Sequence, residues 1–204
     1  MIAIIDYGVG NLFSLLCSLK FIGCDAVIAG DADTIKRSDK LLLPGVGAFG
    51  DAAAMLRTRG LDEIIKGEAE RHKPLLGVCL GMQLLFDESL EFGEHRGLGL
   101  LNGVVAPIKT RIPGSFKAPH IGWNALKLRK EKESKLLKHT YEGDHVYFVH
   151  SYHAENCEEA ITATTEYGAE LTAAVERGNI FGTQFHPEKS GNAGLNILRA
   201  FAEV

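Results

Sequence analysis

The chain has 204 residues, 46% of them hydrophobic, so it can bury a sizeable core, and no shift in composition calls for a second domain. A formal net charge of −4 gives no electrostatic reason to expect nucleic acid or an anionic membrane as a partner. We therefore expect one domain over residues 1–204. No apolar run approaches the roughly 20 residues that span a bilayer, and no signal-like segment precedes the first strand, so we expect a cytoplasmic protein.

The first half alternates short apolar strands with helical patterns. The predicted strands are Ile2–Ile5, Ala26–Ala29, Lys40–Leu43 and Leu75–Val78. The predicted helices are Leu12–Ile22, one capped by Asp51, Leu61–Arg71 and Leu80–Glu88. Short buried strands joined by helices indicate a parallel sheet that is covered on both faces.

The second half is richer in closely spaced strands, which favour hairpins. The predicted strands are Val104–Ile108, Ala125–Leu128, Val146–Tyr152, Ile161–Thr165, Ala173–Glu176 and Ile180–Gln184. Helical spacing returns in Gly191–Val204, and the charged segment Lys127–Lys138 is expected to form a solvated loop and short helix. The predicted fold class is α/β: an open, mostly parallel sheet with helices on both faces and an antiparallel extension.

The cysteines are sparse and contain no C-x-x-C pair, so neither a disulfide framework nor a zinc site is indicated. They are Cys17, Cys24, Cys79 and Cys157. His150 and His153 lack a third ligand in a recognisable pattern, so we read them as a strand-end binding loop or as core histidines. We expect no metal and no cofactor.

Cys79 stands in Gly77-Val78-Cys79-Leu80-Gly81, between a predicted strand and a predicted helix. A nucleophile in this setting sits on a sharp turn, and flanking glycines leave room for the tight backbone. The helix N-terminus also favours a thiolate. The plainer interpretation is a buried structural cysteine with incidental glycines.

His186-Pro187-Glu188 follows the last predicted strand. Pro187 favours an extended His186, and residues two apart in an extended segment share a side, so Glu188 can orient the imidazole. These groups would supply the base and its orienter for a thiol nucleophile. A strand-end turn with solvated polar groups is the alternative.

A third glycine-rich segment, residues 44–50, follows another strand. Gly45, Val46 and Gly47 could expose backbone N–H groups to a tetrahedral oxyanion, and the N–H of Leu80 is the natural second donor. A plain strand-to-helix turn is the alternative reading.

Together these motifs resemble the class I, or triad, glutamine amidotransferases. The resemblance rests on Gly-Val-Cys79-Leu-Gly-Met-Gln83 and Gln184-Phe-His186-Pro-Glu188, and it runs the full length of the chain. Within that class, four segments are most similar to the glutaminase subunits of imidazole glycerol phosphate synthases. They are Asp6–Asn11, Pro44–Phe49, Pro119–Asn124 and Tyr147–Tyr152.

The resemblance implies that Cys79, His186 and Glu188 hydrolyse glutamine and that a (β/α)8-barrel cyclase subunit uses the ammonia in histidine biosynthesis. Gln83, four residues after Cys79 on one helix face, could contact substrate, or it could be an exposed helical glutamine. The resemblance also implies that Glu91 accepts the substrate α-ammonium. It assigns the substrate carboxylate to backbone groups of His150, Ser151 and Tyr152. Glu91 could instead be merely solvated within its acidic stretch.

Asn11, Trp123 and Asn124 would lie near the cyclase in a heterodimer, with Pro119 to Gly122 forming an irregular surface loop. A lone tryptophan such as Trp123 is more often a core residue. Three other functions stay open: a glutaminase that feeds a different synthase, such as a sugar-amidating one; a non-catalytic regulatory module; and a stand-alone cysteine hydrolase.

Overall fold

The computed structural model describes residues 1–204. Its strands are β1 (Ile2–Ile5), β2 (Ala26–Ala29), β3 (Lys40–Leu43), β4 (Leu75–Val78), β5 (Phe86–Ser89), β6 (His95–Arg96), β7 (Leu101–Pro107), β8 (His120–Leu128), β9 (His145–His150), β10 (Tyr152–Glu155), β11 (Ile161–Glu166), β12 (Glu170–Arg177) and β13 (Ile180–Thr183). Its helices are α1 (Leu12–Phe21), α2 (Ala32–Arg37), α3 (Phe49–Thr58), α4 (Leu61–Glu70), α5 (Leu80–Gln83) and α6 (Gly191–Ala202).

Nine strands form one sheet in the order β2-β1-β3-β4-β13-β12-β11-β8-β9. The strands from β2 to β13 pair in parallel, and those from β13 to β9 pair antiparallel. A second sheet has the order β10-β7-β5-β6. The predicted fold class is thus confirmed: a parallel half and an antiparallel extension share one sheet.

Alternate residues of the central strands pack into two hydrophobic cores, one on each face of the sheet. Leu41 and Leu43 of β3 face a core that contains the buried side of α3 and α4, whereas Leu42 faces a core that contains α1 and α6. Because successive side chains of a strand point to opposite faces, an unbroken apolar run covers both sides at once. The carboxyl ends of β1, β3, β4 and β13 therefore meet at one edge between two rigid layers, which is where an open α/β sheet places its sites.

Two predictions at helix ends are wrong, and tertiary partners are the reason. Asp51 does not cap α3, because the helix begins earlier, at Phe49, whose N–H donates to Oε2 of Glu91 at 2.6 Å. The helix predicted over Leu80–Glu88 ends at Gln83. The carbonyls of residues 84–86 accept instead from backbone N–H groups of residues 98–101, so the helical ladder cannot continue.

Two other expectations need correction. Val146–Tyr152 is not one strand, since it breaks at Ser151 and its end joins the second sheet as β10. The short helix expected in Lys127–Lys138 does not form. Glu176 accepts hydrogen bonds from Ser134 and from the N–H groups of residues 135 and 136, which fixes that segment as a loop. Helix α2 and hairpin β5–β6 were not predicted.

Candidate active site

Cys79 lies on the turn between β4 and α5 in a strained backbone conformation. Its φ of 56° and ψ of −113° fall where residues with a Cβ rarely lie. Its N–H donates to the carbonyl of Thr183 in the neighbouring strand β13 at 2.7 Å. The strain and the hydrogen bond present the thiol at the carboxyl edge of the sheet, as the sequence predicts.

The two glycines that flank Cys79 are required by close backbone approach. A Cβ on Gly81 would lie 1.8 Å from the carbonyl oxygen of Leu43, and a Cβ on Gly77 would lie 2.6 Å from the carbonyl oxygen of Gly81. Both distances are far below van der Waals contact, so a side chain on Gly81 would push the turn away from β3, and one on Gly77 would push α5 away from β4. The glycine pattern is thus a packing requirement of this turn around Cys79, which we call the elbow.

His186 and Glu188 form a buried pair beside the thiol. Nδ1 of His186 lies 2.8 Å from Oε1 of Glu188. The His186 backbone is extended, as predicted, and its N–H donates to the carbonyl of Tyr147 in β9 at 3.0 Å. Glu188 itself lies in a 3₁₀ turn rather than in an extended segment, so that turn, not strand alternation, brings its carboxylate back to the ring.

Burial lowers the pKa of His186, but hydrogen bonding and charge interactions with Cys79 and Glu188 outweigh burial and raise it to about 9. An imidazole that holds its proton at neutral pH stabilises an adjacent thiolate. His186 is thus a proton donor held beside the Cys79 sulfur at neutral pH.

Tyr7 borders the same site. Burial, and secondarily the charge of Cys79, raise the pKa of its phenol, which therefore stays neutral and donates to the carbonyl of Pro44 at 2.8 Å. A Cβ on the next residue, Gly45, would lie 2.8 Å from both the Tyr7 oxygen and the Gly81 nitrogen. The glycine-rich loop therefore packs directly on the start of α5, beside Leu80. Gly47, at φ +94°, has open space around it.

A cavity of about 370 Å³ joins these elements. It is lined by Val46, Gly47, Cys79, Leu80, Gln83, Glu91, Pro119, Val149, His150, Ser151, Tyr152, His186 and Lys189. Most residues predicted from sequence to act on a substrate thus meet on one surface. Gln83 is buried rather than solvated, and its amide nitrogen donates to the carbonyl of Tyr152 at 3.1 Å and to Oε1 of Gln184 at 3.0 Å.

A family model described as glutamine amidotransferase class I matches residues 3–203. The chain belongs to the class I glutamine amidotransferases.

Two relatives indicate which branch of the family this chain belongs to. A protein of Caldanaerobacter subterraneus subsp. tengcongensis is 49% identical over 100% of this chain and 98% of its own length. A protein of Geobacillus kaustophilus is 48% identical over 100% of this chain and 97% of its own. Both are named imidazole glycerol phosphate synthase subunit HisH, and likeness at this level over whole chains places this amidotransferase in the HisH branch.

A solved structure shares the amidotransferase fold at lower identity. PurLQS from Thermotoga maritima superimposes with a TM-score of 0.77 at 20% identity, over 99% of this chain and 97% of that one. At this identity the likeness concerns the fold alone.

The residues expected near a partner lie in three different settings in this amidotransferase. Trp123 is 55% exposed, so it is not a core residue, and it packs edge-on against Tyr147. Asn124 is half-buried in β8. Because β8 begins at His120, the prediction of an irregular loop over Pro119 to Gly122 is wrong from His120 onward. The Asn11 amide donates to Oε1 of Glu188 at 3.5 Å, which ties the first turn of α1 to the amidotransferase site.

Sequence reasoning missed some residues of the site. Tyr7 and Gln184 both stand in quoted motifs, yet only the structure reveals their contacts with Pro44 and Gln83. Lys189 lines the cavity without having been singled out, and Pro119 lines it although the sequence predicts it only in a loop near the partner. In this amidotransferase no helix is long and apolar enough to cross a bilayer, and no cluster of three metal-ligating side chains occurs.

Proposed function

We propose that this glutamine amidotransferase is the glutaminase subunit of an imidazole glycerol phosphate synthase and that Cys79, His186 and Glu188 carry its reaction. The observation that supports this most is the combination of a thiol on a strained elbow with a buried imidazole–carboxylate pair beside it. A thiol nucleophile, a base and a group that orients the base together supply what thiol-based acyl transfer uses.

In the first half-reaction the Cys79 thiolate attacks the carbonyl carbon of the glutamine side-chain amide. The carbon–nitrogen bond breaks as the His186 imidazolium gives its proton to the leaving nitrogen, and ammonia departs. In the second, neutral His186 takes a proton from water, which attacks the thioester. The carbon–sulfur bond breaks, glutamate leaves and Cys79 is regenerated. Glu188 holds the tautomer of His186 and stabilises its charge throughout.

Both tetrahedral intermediates carry a negative oxygen. We assign the stabilisation of that oxygen to the N–H of Leu80 and to backbone N–H groups of Gly45, Val46 and Gly47, because the loop packs on the start of α5. Gly47 has no Cβ and open surroundings, so a peptide flip there meets little steric resistance. The productive loop state is therefore easily gained or lost.

The remaining cavity residues suit an α-amino acid. Glu91 supplies a carboxylate for the α-ammonium group, and backbone groups of His150, Ser151 and Tyr152 supply partners for the α-carboxylate. Gln83 lines the same cavity.

Residues 1–204 act as a single domain in this proposal, since both cores share the nine-stranded sheet.

The partner is a (β/α)8-barrel cyclase, which contacts Asn11, Trp123 and Asn124 in a heterodimer. It uses the ammonia to form imidazole glycerol phosphate and aminoimidazole carboxamide ribotide. Free ammonia becomes protonated in water and is lost as a nucleophile. Glutamine hydrolysis is therefore productive only while the cyclase is bound. Free thiols at Cys17 and Cys24 suit a reducing cytoplasm.

The test is steady-state glutamate formation by the subunit alone, with the cyclase, and with the cyclase plus its phosphoribosyl ligand. Rates should rise in that order, because a lost oxyanion donor costs about 100- to 1000-fold and the partner need only favour the productive loop. The cyclase supplied with ammonium chloride serves as the control for its own competence. Equal rates in all three conditions would contradict the proposal and favour a stand-alone hydrolase.

A further inference from the structure

Two buried histidines pair across the antiparallel extension behind the cavity. His120 of β8 lies directly opposite His150 of β9, and its Nδ1 is 3.0 Å from Nε2 of His150. The His120 ring is stacked between Tyr167 and Phe148, with ring centroids 4.0 and 4.8 Å away. Nδ1 of His150 lies 2.8 Å from the carbonyl oxygen of Tyr152.

The partners fix the tautomer of each ring. A carbonyl only accepts, so Nδ1 of His150 carries the hydrogen and its Nε2 accepts from Nδ1–H of His120. Nε2 of His120 is then the acceptor that faces the Asn124 amide nitrogen at 3.4 Å. Burial lowers the pKa of His120 to about 4 and that of His150 to about 3, so each ring is neutral with one N–H, as this pattern needs.

The hydrogen bonds continue from the Tyr152 carbonyl to the thiol. That carbonyl also accepts from the Gln83 amide nitrogen, which donates its second hydrogen to Oε1 of Gln184. With its oxygen occupied, the Gln184 amide turns its nitrogen to the sulfur of Cys79, 3.8 Å away. We call this series, from Asn124 through His120, His150, Tyr152, Gln83 and Gln184 to Cys79, the amide–histidine relay.

Each link of the amide–histidine relay removes an alternative orientation from the next group. If Gln83 were free to turn, Gln184 could flip and present its oxygen to the sulfur, which would repel a thiolate. An N–H aimed at the sulfur instead favours the thiolate, since a hydrogen bond to the charged form stabilises that form. His120, His150, Gln83 and Gln184 are buried, and in a buried setting such orientation effects are stronger than in water.

We propose that His120 and His150 are positioning residues for glutamine hydrolysis, which hold the Tyr152 carbonyl and thereby aim the Gln83 and Gln184 amides at the cavity and the Cys79 sulfur. The proposal rests on the proposed function, in which Cys79 is the nucleophile. It assigns the two histidines no contact with the reacting atoms.

A crossed pair of variants separates hydrogen bonding from packing. His120→Phe keeps an aromatic ring between Tyr167 and Phe148 but removes both nitrogens. His120→Asn loses the stack but keeps an N–H near the position of Nδ1. We expect His120→Phe to lower kcat/KM for glutamine in the presence of the cyclase by about 3- to 10-fold, the effect of roughly one lost hydrogen bond. His120→Asn should retain most of the activity.

A second readout follows the thiol directly. Alkylation of Cys79 by iodoacetamide, measured over pH on the Cys79 peptide, reports its apparent pKa without any glutamine. The midpoint should shift upward in His120→Phe and stay near the wild-type value in His120→Asn. The other titratable groups that face the relay are the same in all three proteins: Tyr7 and His186 at the sulfur, His153 at His150 and Tyr167 at His120.

Folded His120→Phe protein with wild-type kcat/KM and alkylation profile would overturn the proposal. Equal losses in both variants would also overturn it, because they would assign the effect to shape alone. If His120→Phe does not fold, the smaller apolar variant His120→Leu takes its place in the comparison with His120→Asn. Wild-type protein whose Cys79 alkylates but which hydrolyses no glutamine with the cyclase would refute the proposed function, while the alkylation profiles still decide the relay.

Discussion

Nδ1 of His186 lies 2.8 Å from Oε1 of Glu188, and the two side chains are only 3% and 1% exposed. A carboxylate so thoroughly removed from water is retained because it is paired with an imidazole that holds its proton. The other carboxylate oxygen, Oε2, has no hydrogen-bond partner, so the orientation of Glu188 depends on His186 and on the weaker contact from Asn11.

Loss of His186 should be more damaging than neutralisation of Glu188. His186 moves a proton in both half-reactions, so His186→Ala should lower kcat by several orders of magnitude. Glu188→Gln keeps an oxygen for Nδ1–H and should retain more activity. Glutamate formation with the cyclase present measures both. A Glu188→Gln variant far less active than His186→Ala would reverse the assigned roles.

Gly81→Ala should destabilise the fold and abolish activity, because its Cβ would lie 1.8 Å from the Leu43 carbonyl oxygen. Gly67→Ala is the matched control, since Gly67 lies inside α4 with nothing near its Cβ, and alanine there should be neutral or stabilise by about 0.5–1 kcal/mol. Urea unfolding of both variants measures the difference. Similar stabilities for the two would remove the steric explanation of the elbow.

Trp123→Ala should weaken binding to the cyclase while leaving the isolated subunit nearly as stable as wild type, because the indole is largely exposed and buried aromatics often dominate interfaces. Phe21→Ala is the control: Phe21 is also exposed, but it lies at the end of α1 away from the site. Isothermal titration gives the affinity and thermal melting the stability. A large loss of melting temperature without the cyclase would mean that Trp123 has a structural role.

Acid should destabilise the subunit through its buried histidines. Burial lowers the pKa of His120 to about 4 and of His150 to about 3, against about 6.5 in the unfolded chain. Between these values the unfolded chain binds protons that the folded chain does not. The stabilisation from neutral burial is therefore complete above pH 6.5 and is lost as the pH falls toward 4. His186 has the opposite sign, since its raised pKa gives stability that is present below pH 6.5 and lost as the pH rises through about 9.

Urea unfolding at pH 7 and pH 4.5 checks the acid effect. Carboxylates also titrate in this range, so the informative quantity is the difference between wild type and His120→Phe. The variant should lose less of its free energy of unfolding on acidification. Identical losses would show that His120 does not contribute to the pH dependence.

The parallel half of the fold could be predicted from sequence because its strands are uninterrupted apolar runs that end at glycine, proline or polar residues. The bounds of β1 to β4 agree with the structure for this reason. The elbow could also be predicted, since a cysteine between two glycines at a strand-to-helix junction indicates a sharp turn there. The prediction that the site residues line one cavity depended on the strand bounds and on the position of the elbow.

The failures share one physical cause: the deciding partner is distant in sequence. Glu91 fixes the start of α3, and residues 98–101 end α5 by taking the carbonyls of the next turn. No local pattern around Asp51 or Leu80 reveals either. The pairing of His120 with His150 depends likewise on the register of β8 and β9, which the sequence does not specify.

The most direct test of the central claim is glutamate formation by Cys79→Ala protein together with the cyclase, compared with wild type under the same conditions. Cys79 is the proposed covalent nucleophile, so its loss should reduce kcat by at least about 1000-fold, while circular dichroism and cyclase binding stay near wild type. The cyclase reaction of the same complex should persist when ammonium chloride replaces glutamine. Substantial glutamine turnover by folded, cyclase-bound Cys79→Ala protein would contradict the assignment of Cys79 as nucleophile.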